Sequence, residues 1–569
     1  MLDREQKSVV EADVEARLLV TAGPGAGKSR VVGERCCHLV EEGLDPDQVL
    51  AISFSNAAVD VMRERTRDAR YRGRSIDVLT LDSLAARVRL DLEPAEPHFS
   101  GYEHAIARAL KLLAGAESTP FDHVEHVIVD EAQDLLGPRA ELALSVIKRV
   151  VDNGGGFTVL GDPMQGLYDF QRSARNRRDG VPLIDAVRSQ LATSDIVLKG
   201  EYRARSADAA RVSRMRAAVA PLGASERLAT LRGLLADLVP LGALDADAAR
   251  DVTGWHGATA FLCDTNARAG LVADALSVLG VRAELASERT DSAPAQWVAQ
   301  IIAAQPGPSL SREEFDRAAS VLGLTDVDGR WRAIVRAAGS QRGVQIADLV
   351  RSLGTRRCPP SLRREPATPI IVSTVHRAKG LEFDNVILVD PHKWFMEDGE
   401  EDAASKRLFV ALTRAHNVVT TVRGPDPRAW YRDDVMSVSL QRAPKNGTRG
   451  ILLEPRLCRA LGPADVELES VVGRSVEWAR ADDLMSVNGT PLPSWMATVD
   501  GVPVARTGES FGEIMNRRAR TRLPELQGGR VEGLETVIGA PSAKRGGRHG
   551  MWVGARIAGA MRFDWRAGE

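Results

Sequence analysis

Short apolar runs alternate with segments of helical spacing along the chain as far as Pro425. The runs are rich in β-branched and aliphatic residues, and turn residues bound them: Leu18–Thr21, Val49–Phe54, Val127–Asp130, Phe157–Gly161, Ala260–Cys263, Ile370–Thr374 and Val386–Asp390. Helical spacing fills most of the intervals, as in Arg30–Glu42, Ala57–Thr66, Glu141–Val151 and Ala267–Leu279. Apolar strands followed by amphipathic helices are typical of parallel sheets covered on both faces. The pattern therefore predicts an α/β fold.

The predicted strands form two groups, which favours two α/β domains. Residues 85–123 and 291–367 interrupt the alternation with polar, mainly helical segments. From about residue 450 onward, short alternating segments separated by Gly and Pro turns predict a small β-rich domain.

Composition limits the classes of protein to consider. A chain of 569 residues should hold roughly three to five domains, and a hydrophobic share of 44% with 27% charged residues is typical of a folded globular protein. The net charge of −2 gives no sign of a polyanionic partner, so partners must be inferred from sites. Five cysteines without metal spacing, a charged N-terminus and no long apolar run predict a reducing, cytoplasmic location and no membrane span.

A phosphate-binding loop follows the first apolar run. Its residues are Ala22, Gly23, Pro24, Gly25, Ala26, Gly27, Lys28 and Ser29, and a helical pattern begins directly after them. Backbone N–H groups of such a loop wrap a polyphosphate, the lysine reaches the β- and γ-phosphates, and the hydroxyl ligates Mg²⁺. We therefore predict that this loop binds ATP and that Ser29 contributes to an Mg²⁺ site.

An acidic cluster, Asp130-Glu131-Ala132-Gln133-Asp134, follows a second apolar run. In a P-loop protein, an acidic residue at a strand end can hold Mg²⁺, and a neighbouring carboxylate can deprotonate the attacking water. We assign Asp130 to the metal and Glu131 to the water.

Further motifs follow in an order that resembles the superfamily 1A helicases, the UvrD/Rep/PcrA group. The matching segments are Gln6 in LDREQKSVV, Phe54-Ser55-Asn56, Thr80-Leu81-Asp82-Ser83-Leu84, Gly161-Asp162-Pro163-Met164-Gln165, Glu201-Tyr202-Arg203, Thr374 to Phe383 and Val410 to Ala415. The resemblance implies two RecA-like domains that hydrolyse ATP and move 3′→5′ on single-stranded DNA or a tailed duplex.

The resemblance also implies roles for individual residues. Arg203 and Arg414 would neutralise the transferring phosphoryl group, and Gln165 would couple the γ-phosphate to DNA. Gln6, Tyr202, Glu382 and Arg30 would hold the adenine and ribose. The implied DNA contacts are Phe54, Ser55, Asn56, Thr80, Ser83, Tyr168, Phe170 and His376.

The same resemblance divides the chain into domains. The first motor domain, 1A, would take residues 1–84 and 124–197, and the second, 2A, residues 198–290 and 368–425. Residues 85–123 and 291–367 would be reduced versions of the family's 1B and 2B insertions, which predicts weak or partner-dependent unwinding. Residues 450–569 lie outside the resemblance, and eleven Lys or Arg against five Asp or Glu from Arg517 onward make a nucleic-acid or protein partner a candidate there.

Two other functions stay open at this point. One is a nucleic-acid-stimulated ATPase that serves as a subunit or sensor of a larger repair or phage-defence complex. The other is a DNA-binding scaffold with a vestigial ATPase, against which the complete phosphate loop, acidic cluster and arginines argue.

Overall fold

A computed structural model of the chain divides into two compact units. The first comprises residues 1–238, 378–385 and 392–419, and the second comprises residues 239–377, 386–391 and 420–569. The structure describes residues 2–54, 56–66, 75–93, 102–167, 181–286, 293–339, 343–355, 358–366, 368–394, 400–425, 430–434, 437–440, 442–443, 447–448, 450–453, 457–461, 468–518, 523–539 and 548–564.

The first unit is built on a six-stranded sheet. Its strands are β1 (Arg17–Ala22), β2 (Val49–Ser53), β3 (Asp77–Thr80), β4 (His126–Asp130), β5 (Gly156–Gly161) and β6 (Ser194–Leu198). They are parallel and lie in the order β3-β2-β4-β5-β1-β6. The helices up to residue 238 are α1 (Arg4–Val10), α2 (Lys28–Glu41), α3 (Asn56–Arg65), α4 (Leu81–Leu92), α5 (Tyr102–Gly115), α6 (Pro138–Asp152), α7 (Leu183–Gln190), α8 (Ala207–Val219) and α9 (Ala224–Ala236).

Successive strand residues enter different cores, which explains why the strands read as continuous apolar runs. In β2, Leu50 and Ile52 pack with α4, α5, α6 and α7, whereas Val49 and Ala51 pack with α1, α2 and α3. Because alternate side chains of a strand point to opposite faces, both faces of this sheet are covered. Helices α4 and α5, which span most of the predicted 85–123 insertion, contribute to the first of these cores.

A second sheet is formed between residues 259 and 422. Its strands are β7 (Thr259–Cys263), β8 (Glu284–Leu285), β11 (Ile370–Thr374), β12 (Phe383–Val389) and β13 (Ala415–Val422), in the order β13-β12-β7-β11-β8. Two short strands, β9 (Ser309–Leu310) and β10 (Val344–Gln345), pair separately. The helices are α10 (Ala246–Thr253), α11 (Asn266–Val278), α12 (Gln296–Ala303), α13 (Arg312–Val321), α14 (Val327–Ala337), α15 (Ile346–Thr355) and α16 (Glu401–Leu412).

The remainder of the chain is mainly antiparallel β structure. Its elements are β14 (Trp430–Asp434), β15 (Ser437–Leu440), β16 (Arg442–Ala443), β17 (Gly447–Thr448), β18 (Gly450–Leu453), β19 (Cys458–Ala460), β20 (Glu477–Met485), β21 (Pro491–Val499), β22 (Val502–Thr507), α17 (Glu509–Arg518), β23 (Glu525–Ile538) and β24 (Met551–Asp564). The larger sheets have the orders β14-β15-β18-β24-β23 and β19-β22-β21-β20.

The β23–β24 hairpin packs against the helical segment 291–367. Met551 belongs to the same core as α12 to α15, and Gln296 Nε2 donates to Leu534 O at 3.1 Å. A buried ion network adds to this contact, since Glu284 pairs with Arg364 of the segment and lies 3.6 Å from the Arg556 guanidinium of the hairpin. The described part of the C-terminal region therefore shares a core with the helical segment.

The predicted fold class is confirmed. The six-stranded sheet and the five-stranded sheet between residues 259 and 422 both have parallel strand pairs and accompanying helices. The described residues beyond 450 are rich in β structure. The domain boundaries stay predictions.

Candidate active site

The phosphate loop connects β1 to α2. Gly25 and Gly27 have φ angles of 75° and 78°, a left-handed conformation that glycine adopts without strain. Gly27 precedes the first turn of α2, and no side chain caps that end of the helix. The N–H groups of a helix N-terminus favour an anion, so the loop geometry suits a phosphate.

A cavity of about 300 Å³ opens onto this loop. Its lining includes these residues predicted from the sequence: Gly23, Pro24, Gly25, Gly27, Lys28, Ser29, Arg30, Glu131, Gln165, Tyr202, Arg203, Glu382 and Arg414. All of them lie in the first unit. The predicted site residues Ala22, Ala26, Gln6 and Asp130 are buried and are not among the lining residues. The cavity volume is at the lower end of the range of small-molecule sites.

Gln6 and Tyr202 lie at one side of the loop. Gln6 Nε2 donates to Ala26 O at 3.0 Å, and the Tyr202 N–H donates to Gly25 O at 2.9 Å. The Tyr202 hydroxyl donates to Asp3 at 2.6 Å, while the residue as a whole is 59% exposed. An aromatic face fixed at its hydroxyl end and exposed beside the loop is suited to stack on a base. Arg30 is exposed and pairs with Glu34 at 3.6 Å.

Lys28 and Glu131 form an ion pair inside the cavity. Lys28 Nζ lies 2.9 Å from Glu131 Oε1. Burial alone would lower the pKa of Lys28, but the negative charges of Glu131 and Asp130 outweigh it, so this pKa lies above its ordinary value. The pKa of Glu131 lies at about 2, because the charges of Lys28 and Lys379 outweigh the effect of burial. Both groups are therefore charged at neutral pH.

The backbone at Glu131 is strained. Its φ angle is 55°, which is uncommon for a residue with a side chain, and its N–H donates to Asp130 Oδ1 at 2.8 Å. Gln133 Nε2 donates to the Glu131 carboxylate. Such strain clusters at functional sites because it fixes a side chain in one direction.

Ser29 and Asp130 are the residues predicted to hold Mg²⁺ together with a nucleotide. Asp130 is 2% exposed at the end of β4, and burial raises its pKa to about 6 against the attraction of Lys28. Mg²⁺ commonly takes one or two protein oxygens together with phosphate oxygens and water. Within the described ranges, no cluster of three or more His, Cys, Asp or Glu side chains could hold a metal by itself.

Arg203 and Arg414 also line the cavity. Arg203 pairs with Glu382 at 2.5 Å and donates to Thr413 O at 2.9 Å. Glu382 also contacts His416 Nε2 at 3.1 Å. Arg414 is 2% exposed, and burial together with the neighbouring Arg203 lowers its pKa to about 9.

The partners of Arg414 are neutral oxygens in the contacts that the structure describes. Its guanidinium donates to Val410 O at 3.1 Å and to Gln165 Oε1 at 3.1 Å. A buried cation held by neutral groups gains most from an incoming anion. Arg414 is thus suited to bind a phosphate.

Several residues that complete this site have no role predicted from the sequence. Lys379 binds the Asp134 carboxylate and donates to Gln165 O at 2.6 Å, although both Lys379 and Asp134 stand inside the motifs quoted above. Arg216 pairs with Asp162 at 3.0 Å and lies outside every quoted motif. Its position could not have been found from local spacing.

The predicted DNA contacts are only partly described. Phe54 is half-buried after β2 and packs on the core below the sheet, and Thr80 and Ser83 begin α4 after β3. Since Ser53 and Thr80 are register partners in neighbouring parallel strands, Phe54 and Ser83 lie at the same sheet edge. His376 is half-buried in the second unit. Ser55, Tyr168, Phe170 and the Asn56 side chain lie outside the described residues.

Thr80 and Ser83 give a matched pair of variants. The Thr80 hydroxyl accepts from the Ser83 N–H at 3.2 Å and caps α4, so Thr80→Ala should lower the free energy of unfolding by about 1 kcal/mol. Ser83 is exposed and its hydroxyl accepts from Thr80 Oγ1 at 2.9 Å. Because the Thr80 cap to the Ser83 N–H remains, Ser83→Ala should lower stability less than Thr80→Ala does, and it should weaken single-stranded DNA binding about fivefold through one lost hydrogen bond. Urea unfolding and oligonucleotide anisotropy measure the two effects. DNA binding by Ser83→Ala equal to that of the unaltered chain would contradict the predicted contact.

Two family models match segments of this chain. The UvrD/REP helicase N-terminal domain matches residues 2–96, and the UvrD-like helicase C-terminal domain matches residues 369–420. These segments contain the phosphate loop, Glu382, Arg414 and the predicted DNA contacts other than Tyr168 and Phe170. Both segments are therefore similar to the corresponding parts of UvrD/Rep-type helicases.

Curated relatives of these UvrD/Rep-type segments match over limited lengths. The putative ATP-dependent DNA helicase R568 of Acanthamoeba polyphaga mimivirus is 32% identical over 174 residues, which is 28% of this chain and 24% of the relative. The ATP-dependent DNA helicase PcrA of Leuconostoc citreum is 38% identical over 93 residues, 15% of this chain and 12% of the relative. The putative ATP-dependent DNA helicase YjcD of Bacillus subtilis (strain 168) is 40% identical over 65 residues, 11% of this chain and 8% of the relative.

The chain thus spans about a quarter or less of the length of these relatives.

Among solved structures, a Pif1 helicase from Bacteroides in complex with ADP-AlF3 and ssDNA aligns over 75% of this chain and 95% of its own, with 14% identity and a TM-score of 0.37. Among the described residues, no helix has both the length and the apolar character needed to cross a membrane.

Proposed function

We propose that the chain is an ATP-driven translocase or helicase that moves 3′→5′ on single-stranded DNA. The observation that carries this proposal is the cavity at the phosphate loop, which brings together Lys28, Glu131, Arg203 and Arg414. Phosphoryl transfer is catalysed mainly by positioning and by positive charge around the transferring group, and these four residues supply both.

Each residue has a role in this proposal. A polyphosphate in the cavity offers Lys28 a second anionic partner, which would leave the Glu131 carboxylate to accept a proton from the attacking water. Arg414 and Arg203 would stabilise the negative charge on the γ-phosphate oxygens. Gln165, which contacts Arg414, would couple the presence of the γ-phosphate to the DNA-binding residues. Mg²⁺ held by Ser29 and Asp130 would supply further positive charge at the phosphates.

The DNA track is proposed at the sheet edge where β2 and β3 end. Parallel strands direct their carboxyl ends to one edge, where ligands of α/β sheets bind, and the phosphate loop and Asp130 follow β1 and β4 at that same edge. Aromatic and small polar side chains bind a single strand without sequence preference. Phe54 and Ser83 are the described candidates for base and phosphate contacts.

A second candidate function is a nucleic-acid-stimulated ATPase that acts as a sensor or as one component of a larger complex, with little unwinding of its own. The observation that favours it is the C-terminal region, which lies outside both family models and shares a core with segment 291–367. We propose that this region docks a protein partner.

A reducing, cytoplasmic location also stays a proposal. The five cysteines, which are free thiols, support it.

A displacement assay on duplexes with 3′ or 5′ single-stranded tails tests the proposal. We expect translocation, measured by displacement of a protein block from a single strand, only toward the 5′ end. We expect slow strand separation, on 3′-tailed duplexes alone, because the insertions are short. Movement toward the 3′ end would contradict the polarity, and DNA-stimulated ATP hydrolysis without any movement would favour the second candidate.

A further inference from the structure

Arg216 reaches from α8 to the buried Asp162 carboxylate beside the active site. Its Nε and Nη2 groups both donate to Asp162 Oδ1, at 3.1 and 3.0 Å. The Asp162 side chain is fully buried and that of Arg216 is 18% exposed. Burying a carboxylate is costly unless a charged partner and hydrogen bonds compensate. Arg216 supplies that compensation.

The Arg216 side chain also packs on the phosphate loop. A Cβ atom added to Gly23 would lie 2.6 Å from Arg216 Cδ, which is closer than two carbon atoms can approach. A larger residue at position 23 would therefore displace the Arg216 side chain from the loop. This contact places the guanidinium next to the start of the loop.

Asp162 in turn orients the side chain that contacts Arg414. Its Oδ2 accepts from Gln165 Nε2 at 2.9 Å, so the Gln165 oxygen is left to accept from Arg414 Nη2 at 3.1 Å. A chain of contacts therefore runs from Arg216 through Asp162 and Gln165 to Arg414. All four residues lie in the first unit.

The negative charge of Asp162 attracts the two cations that are predicted to bind phosphate. It acts to raise the pKa of both Lys28 and Arg414 against the effect of burial. If Arg216 lost its charge, Asp162 would be a buried anion without its main partner, and it would attract one of these two cations. The γ-phosphate would then compete with Asp162 for the same positive charge.

We propose that Arg216 is a positioning residue for ATP hydrolysis, which neutralises Asp162 and so keeps Lys28 and Arg414 available to the γ-phosphate. The inference rests on the proposed function, since it concerns the same ATP site. A positioning role and direct phosphate binding by Arg216 predict different results when Asp162 is made neutral. If Arg216 only neutralises Asp162, ATP hydrolysis should then no longer require Arg216.

A double-mutant cycle tests this consequence. The variants are Arg216→Gln, Asp162→Asn and their combination, with Arg214→Gln as the matched control, because Arg214 is an exposed arginine on the same helix. We expect Arg216→Gln to lower kcat at least tenfold and to raise the KM for ATP. In the Asp162→Asn background the same substitution should change kcat less than twofold. Arg216→Lys should recover part of the activity, and thermal unfolding identifies variants that fail to fold.

The outcomes separate this inference from the proposed function. If the unaltered chain hydrolyses ATP and Arg216→Gln behaves like Arg214→Gln, the inference is wrong and the proposed function stands. Equal losses on both backgrounds would show that Arg216 acts independently of Asp162 and would also overturn the inference. If the unaltered chain does not hydrolyse ATP, the proposed function fails, and ATP affinity decides the inference: Arg216→Gln should weaken binding at least fivefold, and Asp162→Asn should remove that loss.

Discussion

Glu131→Gln is expected to lower ATP turnover by about 10³-fold, the size of a lost general base, or about 4 kcal/mol of transition-state stabilisation. Glutamine keeps the shape of the side chain but cannot accept the proton of the attacking water. Lys28, whose ion-pair partner is Glu131 at 2.9 Å, loses a competing anion. ATP affinity should therefore be retained or increased.

Single-turnover hydrolysis and equilibrium binding of a fluorescent ATP analogue measure these two effects separately. Glu34→Gln is the matched control, because Glu34 is an exposed residue of the neighbouring helix α2 whose pairing with Arg30 is solvent-accessible. A kcat for Glu131→Gln above about a tenth of the unaltered value would exceed what a lost general base allows and would contradict the assignment.

Arg414→Ala is expected to lower kcat by about 10³-fold, the lower end of the effect of an arginine that stabilises the phosphoryl transition state. Arg414 is buried, and its guanidinium contacts Val410 O and Gln165 Oε1 from two different nitrogens. A lysine has a single donor group and cannot reproduce this planar geometry. Arg414→Lys should therefore recover little activity.

Steady-state ATP hydrolysis at saturating DNA checks this result, and circular dichroism confirms that each variant is folded. Arg205→Ala is the control for loss of one positive charge, since Arg205 is 64% exposed and pairs with Asp384 at the surface. A folded Arg414→Ala variant whose kcat stays within threefold of the unaltered chain would refute the role of Arg414.

The parts of the fold that follow from local sequence were predictable. Strands β2 and β4 are buried on both faces, so they read as continuous apolar runs, and the Gly-rich loop after β1 needs left-handed glycines that identify it. The residues Lys28 and Glu131 stand inside such local patterns. Their positions in one cavity agree with the expectation that the carboxyl ends of parallel strands meet at one edge.

Other contacts join residues that are far apart in the chain, and no local sequence pattern predicts them. Arg216 and Asp162 are 54 positions apart, and the helix that carries Arg216 has no motif of its own. Lys379 and Asp134 are 245 positions apart. The burial of Met551 among the helices of segment 291–367 likewise depends on how distant segments pack, and no local pattern predicts it.

ATP hydrolysis measured as a function of single-stranded DNA concentration shows whether this site drives movement on DNA. We expect a single strand to raise kcat at least tenfold, blunt duplex of the same length to have no such effect, and Glu131→Gln to remove the response. Hydrolysis that is absent, or that is equal with and without single-stranded DNA, would contradict the claim that this site drives movement on DNA.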